Sequence, residues 1–447
     1  MDKKINQCHV SEKTNTEYIK QIGNNYDEKT AEIIGLAQND LLPRFNGKLN
    51  LLEIGVGGGE SLKKIARNTA DSNSRIFGMD LFPEVLKLID KEDLNIELIS
   101  ANMSHIPIKS ETVSGVNASS IFHEVSSYGV ECDDGMLYGK DAIKVAFSEL
   151  NRILMHNGCV AYRDVSAPIG HGEEVERVTY YGESWKEFLR WFIDDFVMNL
   201  RVDFYNSEKQ SIDKIDNNHD ITIEMSRNLH RETQRHYLMF RDYVINNMQE
   251  IIGVKVFDSE WVNKDNGEKK FRVSLSPCAN EYGDEIKKTL GFGEIVLDSI
   301  QFDQLIDQIM ADALSELNKN SLDAIEFIDS ANRWKNREAA EAYIYGDYLD
   351  LLEMSIESTL DSDQDTVLFP KKVDDFIRVQ RTYYNRYLKS RIDNPEQDAK
   401  QMINFYKISF DEAVLVINEI EINSRFSDQV EKINNIKKLL LSKMVNK

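Results

Sequence analysis

A carboxylate and three glycines alternate in the stretch LEIGVGGGE, at Glu53, Gly55, Gly57 and Gly59. They stand between an apolar run, residues 49–54, and a segment with helical character. At a strand-to-helix turn, backbone N–H groups and the helix N-terminus point toward a ligand, and glycine allows the ligand to approach the main chain. The carboxylate can accept a hydrogen bond from a cationic group of that ligand.

The spacing of the glycines separates three kinds of ligand site. A nucleotide P-loop requires GxxxxGK[ST], with a lysine that reaches the phosphates, but Glu60 and Ser61 follow Gly59. A dinucleotide fingerprint requires GxGxxG, and its third glycine would stand at Glu60. The third pattern, ExGxGxG, is matched at every position.

A second carboxylate follows the next apolar run. Residues 74–86, SRIFGMDLFPEVL, predict a strand that ends at Asp80, where a carboxylate can accept hydrogen bonds from two ribose hydroxyls. Residues 98–125 predict a strand, a polar turn, an apolar-proline pair and another strand. Residues 150–165 predict a helix, an Asn-Gly turn and a fifth strand.

In this order and at this spacing, the four segments resemble the motifs of the class I S-adenosylmethionine-dependent methyltransferases. The resemblance covers residues 25–165 and 250–277, and it implies S-adenosyl-L-methionine as the cofactor. It implies that the three glycines of the turn lie against the methionine part of the cofactor. Glu53 would receive the ammonium group, directly or through water.

The same resemblance assigns the rest of the cofactor site. Asp80 would hold the ribose hydroxyls, with Leu81 beside it, and Ser119 lies at the end of the fourth strand. Asn102 stands where the family commonly has an aspartate, and its amide oxygen would accept a hydrogen bond from the adenine amino group. Met103 would offer its backbone N–H to the ring.

Candidate catalytic residues follow the fourth and fifth strands, in SSIFHEVSSYG and YRDVSAP. His123 has the side chain best suited to act as a general base near neutral pH, and Asp164 could orient the methyl acceptor or a water. Glu124 is the third candidate. The structural alternatives are that His123 and Glu124 only begin a helix, and that Asp164 only caps a turn. No set of His, Cys and carboxylates shows metal-ligand spacing, so we predict no metal.

The predicted fold class is α/β: a Rossmann-like methyltransferase sheet, mostly parallel, with a C-terminal antiparallel hairpin. The hairpin is assigned to residues 251–277, where two alternating runs flank Asp265-Asn266-Gly267. This places a methyltransferase domain at residues 1–280. Within it, residues 166–250 are predicted to form an aromatic-rich helical lid over the methyl acceptor.

Residues 281–447 are predicted to form an all-α C-terminal domain of no recognised family. One helical stripe supports this prediction: Phe302, Leu305, Ile306, Ile309, Met310, Ala313 and Leu317. The basic stretch 371–391 is predicted to be a helix face that pairs with the acidic helices of residues 294–365, although it could instead grip an anionic partner.

Composition limits the partners. The 447 residues carry a net charge of −22, which disfavours binding to phosphate backbones, although nucleic acid is not excluded. The chain shows no apolar run of membrane-spanning length, no signal peptide and no CxxC pair, so we expect a cytoplasmic protein without a membrane partner. A homo-oligomer is compatible with the sequence.

These observations favour a methyltransferase that acts on an O or N atom of a small molecule or metabolite. The first alternative is a methyltransferase acting on a peptide, protein or tRNA-like RNA docked by the C-terminal helices. The second is a non-catalytic cofactor-binding scaffold.

Overall fold

The computed structural model describes most of the chain, and the strands and helices below belong to these residues. The described residues are 26–69, 74–133, 135–165, 172, 174–199, 213–216, 219–262, 269–343, 345–360, 364–375, 378–381, 387–388, 390–392 and 399–445.

The strands occur in two blocks separated by helices. In chain order they are β1 (Asn50–Ile54), β2 (Arg75–Asp80), β3 (Ile96–Ser100), β4 (Val113–Ser119), β5 (Val130–Cys132), β6 (Gly135–Leu137), β7 (Leu154–Val165), β8 (Val175–Tyr181), β9 (Asp213–Asp216), β10 (Asp220–Ser226), β11 (Val254–Val262), β12 (Lys269–Leu275), β13 (Gly293–Asp298), β14 (Thr366–Phe369), β15 (Arg378–Arg381) and β16 (Ala399–Ser409).

The helices lie before, between and after these strands. They are α1 (Tyr26–Leu36), α2 (Leu42–Arg44), α3 (Glu60–Thr69), α4 (Pro83–Leu86), α5 (Phe122–Tyr128), α6 (Gly139–Ile153), α7 (Glu183–Asn199), α8 (Arg227–Asn247), α9 (Gln249–Ile252), α10 (Asp284–Leu290), α11 (Ser299–Asn318), α12 (Ile325–Glu338), α13 (Tyr348–Leu360), α14 (Phe410–Glu421) and α15 (Val430–Val445), with a π-helical turn at Ala37–Leu41 and 3-10 turns at Leu322–Ala324, Val373–Asp375 and Ser424–Gln429.

The described residues divide into two compact units, and their boundaries differ from the predicted one near residue 280. The first unit combines Met1–Gly170 with Ala342–Arg381 and Ala399–Lys447, and the second comprises His171–Glu341 and Thr382–Asp398. The chain therefore leaves the first unit and returns to it, so a single cut after residue 280 separates neither.

An eight-stranded sheet organises the first unit. The strand order is β14-β16-β7-β4-β1-β2-β3, and β15 also pairs with β16. The five neighbouring strands β7, β4, β1, β2 and β3 are parallel. β1 is buried along most of its length, as its apolar run predicts. The predicted, mostly parallel Rossmann-like sheet is thus confirmed. The chain order reverses between β1 and β4, and ligands bind at the carboxyl ends of strands at such a switch point.

The prediction for the antiparallel end of this sheet is wrong. β16 is the antiparallel neighbour of β7, with Tyr162 opposite Ile403, and β14 and β15 pair with β16. β11 and β12 do form an antiparallel pair, but β12 pairs on its other side with β13, in a separate three-stranded sheet. The local alternation predicted the pair correctly, whereas its partner sheet depends on distant contacts. The Asp265-Asn266-Gly267 turn lies outside the described residues.

The second unit is larger and less helical than the predicted lid of residues 166–250. It contains the sheet β8-β10-β9, the sheet β11-β12-β13 and helices that share an aromatic core. In that core the rings of Trp185 and Tyr237 stack with centroids 3.7 Å apart, and Trp334 is fully buried. The aromatic residues of the insertion that are described here are mostly buried in this core.

The C-terminal part is rich in helices but is not all-α. The stripe predicted from Phe302 to Leu317 is buried on α11 as expected. Residues 281–447 also supply β13 to the second unit and β14, β15 and β16 to the first. Within the basic stretch 371–391, Arg378–Arg381 is a strand rather than a helix, and Arg391 pairs with Asp307 at 2.6 Å. Of the helices described, none is long and apolar enough to cross a membrane.

Candidate active site

The glycine turn lies at the carboxyl end of β1 and leads into α3. The N–H of Gly55 donates to the carbonyl of Met79, and the N–H of Gly59 donates to that of Val56, both at 2.9 Å. Gly55 has φ +71°, and a Cβ there would lie 2.7 Å from Cδ1 of Ile121. The positive φ favours glycine at this position, and a Cβ would also require the Ile121 side chain to move.

A cavity opens beside this turn. It is lined by Ile54, Gly55, Met79, Asp80, Leu81, Phe82, Ala101, Asn102, Met103, Ile121, Glu124, Val125, Tyr128, Gly129 and Val130. A mostly apolar lining with a few polar groups is typical of a small-molecule site. The structure thus brings together six residues that the sequence predicted: Gly55, Asp80, Leu81, Asn102, Met103 and Glu124.

Glu53 is buried just before the turn, with 5% of its surface exposed. Nδ2 of Asn117 donates to its Oε1 at 3.4 Å, and Oε2 has no hydrogen-bond partner among the described residues. Burial raises the pKa of Glu53 to about 8, although the charge of Lys29 and the bond from Asn117 act in the opposite direction. A buried carboxylate oxygen of this kind suits the ammonium group of a ligand.

Asp80 and Asn102 occupy the ends of β2 and β3. Oδ1 of Asp80 accepts the N–H of Phe82 at 3.1 Å, which fixes the carboxylate at the cavity. Oδ1 of Asn102 already accepts two hydrogen bonds from Ser104, from its N–H at 2.7 Å and from its hydroxyl. Because an amide oxygen has two lone pairs, an adenine amino group would have to displace the Ser104 hydroxyl.

The remaining predicted cofactor residues do not line the cavity directly. Gly57 and Gly59 shape the turn with positive φ values of +49° and +82°. Ser119 ends β4, and its Oγ is buried without a hydrogen-bond partner among the described residues.

His123 and Asp164, two separate catalytic candidates of the sequence, contact each other in the structure. His123 is the second residue of α5, and Asp164 lies near the end of β7. Nδ1 of His123 is 3.0 Å from Oδ1 and 3.1 Å from Oδ2 of Asp164, and the backbone N–H of His123 also donates to Oδ2 at 3.1 Å. Both side chains are buried. Burial alone would raise the pKa of Asp164, but His123 and the N–H donors around the carboxylate hold that pKa below its usual range.

Three further residues of the first unit reach this pair from the C-terminal part of the chain. The ring of Tyr343 lies against the His123 ring, with centroids 4.6 Å apart. The hydroxyl of Tyr345 donates to Oδ2 of Asp164 at 3.2 Å, and Gln401 joins the same network. Tyr345 is 181 residues from Asp164, so sequence analysis missed these contacts, and no local motif marks them.

Lys29 is a further residue of the site that the sequence did not indicate. It lies on α1, where burial lowers its pKa, while Glu53, Glu124 and Asp164 act in the opposite direction. Arg163, whose Nη2 pairs with Glu28 at 3.0 Å, also acts to lower the pKa of Lys29. The site therefore contains two cations among its carboxylates.

Two histidines of the second unit, His230 and His236, have structural partners. Tyr180 is 2.8 Å from Nδ1 of His230, whose Nε2 contacts the carbonyl of Glu176 at 3.0 Å, and burial lowers its pKa to about 4. His236 contacts two backbone carbonyls. Within the described ranges, no group of three or more His, Cys, Asp or Glu residues could hold a metal ion.

The residues present fit S-adenosyl-L-methionine. Gly55 of the turn lines the cavity, the unpartnered Oε2 of Glu53 suits an ammonium group, and Asp80 offers a carboxylate at the end of β2. The family model described as a methyltransferase domain matches residues 52–162. This part of the chain is a class I S-adenosylmethionine-dependent methyltransferase domain, and S-adenosyl-L-methionine is its cofactor.

Comparisons with individual proteins give only distant likenesses. A methyltransferase from Aquifex aeolicus is 16% identical, with 46% of this chain and 95% of that chain aligned and a TM-score of 0.24. The [4+2]-cyclase SpnF is 10% identical over 87% of this chain and 80% of that chain, with a TM-score of 0.28. A chain in the complex of the Haloferax volcanii Trm112 methyltransferase activator is 16% identical over 34% of this chain and 57% of that one, with a TM-score of 0.24. No curated protein sequence matches the chain.

Proposed function

We propose that the protein transfers a methyl group to an oxygen or nitrogen atom of a small molecule, with His123 as the general base. The observation that carries this proposal is the bond between Nδ1 of His123 and Asp164, at the carboxyl ends of β4 and β7. The cavity beside the glycine turn lies at the same edge of the sheet, since Ile121, Glu124 and Val125 line it around His123.

The cofactor would be held by residues of β1, β2 and β3. Glu53 would accept its ammonium group, the turn at Gly55 would leave space for its methionine part, and Asp80 would accept its ribose hydroxyls. Asn102 and Met103 would lie at its adenine. The bound cofactor supplies a methyl group that is already electrophilic, so the protein mainly has to align and desolvate the acceptor.

His123 would take the proton that the acceptor loses. An ionised Asp164 can only accept hydrogen bonds. The neutral imidazole therefore carries its proton on Nδ1, and Nε2 carries the lone pair. An acceptor O–H or N–H that donates to Nε2 becomes more nucleophilic as its proton moves to that nitrogen. Asp164 would then stabilise the imidazolium, as a buried carboxylate does beside a catalytic histidine.

Two observations favour a small acceptor. The cavity has the mostly apolar lining of a small-molecule site, and a net charge of −22 opposes a nucleic-acid substrate. A peptide, protein or tRNA-like acceptor is the alternative. Such an acceptor would also have to reach His123, so a loss of activity in a His123 variant is expected for either acceptor class.

A transfer assay tests the proposal. The full chain is incubated with methyl-tritiated S-adenosyl-L-methionine and a cell extract that has been separated by size into small-molecule, RNA and protein fractions. We expect label in the small-molecule fraction, and we expect His123→Ala to reduce it by ~10²–10⁴-fold while S-adenosylhomocysteine still binds. Label that enters only RNA or protein would overturn the small-molecule assignment, and full activity of His123→Ala would overturn the base.

A further inference from the structure

A chain of hydrogen bonds leads from Asp164 to Gln401. The hydroxyl of Tyr345 donates to Oδ2 of Asp164 at 3.2 Å, and the hydroxyls of Tyr345 and Tyr162 are hydrogen-bonded to each other. Nε2 of Gln401 lies 3.5 Å from the Tyr162 hydroxyl and 3.2 Å from the carbonyl of Gly346. Tyr162, Asp164, Tyr345 and Gln401 are buried.

The direction of each bond follows from the chemistry of its ends. An ionised Asp164 can only accept hydrogen bonds, so the Tyr345 hydroxyl donates its one hydrogen bond to Asp164. It must therefore accept a hydrogen bond from Tyr162. Tyr162 in turn accepts from the amide of Gln401, which has two protons to donate. Burial raises the pKa of both phenols well above their usual range, so each remains a neutral donor.

We propose that Tyr345 is a positioning residue for the transfer reaction, because its hydroxyl fixes the Asp164 carboxylate that holds Nδ1 of His123. This inference rests on the proposed function, since it concerns the same base. It assigns a role in the reaction to Ala342–Arg381, the segment in which the chain returns to the first unit and for which the sequence indicated no role.

The geometry explains why a carboxylate at this position needs a donor from Tyr345. Oδ1 of Asp164 accepts the N–H of Val165 at 2.9 Å, and the ring and backbone N–H of His123 contact the carboxylate from one side. Tyr345 supplies a donor to Oδ2 from a different element. Donors from three segments of the chain hold the orientation of the carboxylate, and the carboxylate holds the imidazole in one tautomer.

Other groups that face Asp164 stay in place when Tyr345 changes. Lys29 of α1 interacts with Asp164 electrostatically, and Tyr162 of β7 lies behind it. Glu124 and Arg163 act on Lys29 in the same cluster. Because a tyrosine-to-phenylalanine change adds no charge, a shift in the His123 titration reports the lost hydroxyl.

Removing the hydroxyl should make His123 more basic. A carboxylate that loses a hydrogen-bond donor becomes a stronger acceptor, and it then favours the imidazolium beside it. The lost bond is charge-assisted, because Asp164 is ionised, and its effect reaches His123 only through the carboxylate. We therefore expect Tyr345→Phe to raise the pKa of His123 by ~0.5–1 pH unit. Tyr162→Phe should give a smaller shift of the same sign, because it weakens Tyr345 as a donor.

The experiment is an NMR titration of ¹⁵N-histidine-labelled full-length protein, with the His123 signals assigned by their loss in His123→Gln. Tyr348→Phe is the matched control, since Tyr348 is a buried tyrosine of the same segment whose ring packs on Phe426. The expected result is the upward shift in Tyr345→Phe and none in Tyr348→Phe. An unchanged His123 midpoint in folded Tyr345→Phe, or an equal shift in the control, overturns the proposal.

Two further measurements keep the outcome decisive. If Tyr345→Phe does not fold, Tyr162→Phe decides, and the absence of any His123 shift there overturns the proposal. Calorimetry with S-adenosylhomocysteine separates this inference from the proposed function. A wild-type protein that binds no S-adenosylhomocysteine contradicts the function, whereas normal binding with an unshifted His123 contradicts only the role of Tyr345.

Discussion

Glu53 makes cofactor affinity depend on pH in a way that the structure specifies. Its carboxyl group is buried, its Oε2 has no hydrogen-bond partner among the described residues, and its pKa is raised to about 8. Only the ionised form attracts an ammonium group. Since the ionised fraction of an acid grows with pH, the affinity should grow as pH approaches 8 from below.

The magnitude follows from the titration of one carboxyl group. With a pKa of about 8 for Glu53, the ionised fraction is ~1% at pH 6 and ~9% at pH 7. An α-amino group with a pKa of ~7.7–8.0 stays largely protonated over the same interval. The affinity for S-adenosylhomocysteine should therefore rise about ninefold between pH 6 and pH 7, or ~1.3 kcal/mol.

Calorimetric titration of the wild type and of Glu53→Gln at both pH values measures this effect. Glutamine has the same shape and does not titrate, so the variant should bind equally well at pH 6 and pH 7. Its affinity should not exceed that of the wild type at pH 6, because it lacks the ionised carboxylate that attracts the ammonium group. A wild-type affinity that is constant between pH 6 and pH 7, or an equal slope in Glu53→Gln, would refute the reasoning.

Three further predictions test other parts of the site and fold. Asp80→Ala should weaken S-adenosylhomocysteine binding by ~1–3 kcal/mol in calorimetry, because a charge-assisted acceptor is removed; unchanged affinity would count against the ribose assignment. Gly55→Ala should lower the melting temperature and the affinity, because its Cβ would meet Ile121 at 2.7 Å in a backbone of positive φ. A Cβ at Gly35 on α1 would have nothing within 4 Å, so Gly35→Ala should change neither. Equal effects of the two substitutions would contradict the steric argument. A chain truncated after residue 398 loses Ala399–Ser409 and leaves β7 as a sheet edge, so it should not give soluble folded protein; a soluble product that binds S-adenosylhomocysteine would show that this strand is dispensable.

The sequence predicted the parts of the fold that depend on local pattern. The glycine turn, the acidic residue at the end of β2 and the helical stripe of α11 are each encoded within about twenty residues, and the structure has the elements where they were expected. His123 and Asp164 could be assigned to one edge of the sheet because the carboxyl ends of parallel strands meet there, but their direct contact was not predicted.

The parts that failed depend on contacts between distant segments. The residues of β11 and β12 alternate as a terminal hairpin should, but nothing local determines that β12 pairs with β13 rather than with the main sheet. Likewise, the residues of β16 do not indicate that it will pair with β7 after an excursion of more than two hundred residues. Tyr345 was missed for the same reason, because its contact with Asp164 exists only once the chain has returned.

The most direct test of the account is a crystal structure of the full chain with S-adenosylhomocysteine. We predict that the ribose hydroxyls contact Asp80, that the amino group lies at Glu53, and that the sulfur faces the space beside Nε2 of His123. A sulfur more than ~10 Å from both His123 and Asp164, beyond hydrogen-bond reach of any acceptor, would contradict the proposed base. Binding of S-adenosylhomocysteine away from the glycine turn would contradict the cofactor site itself.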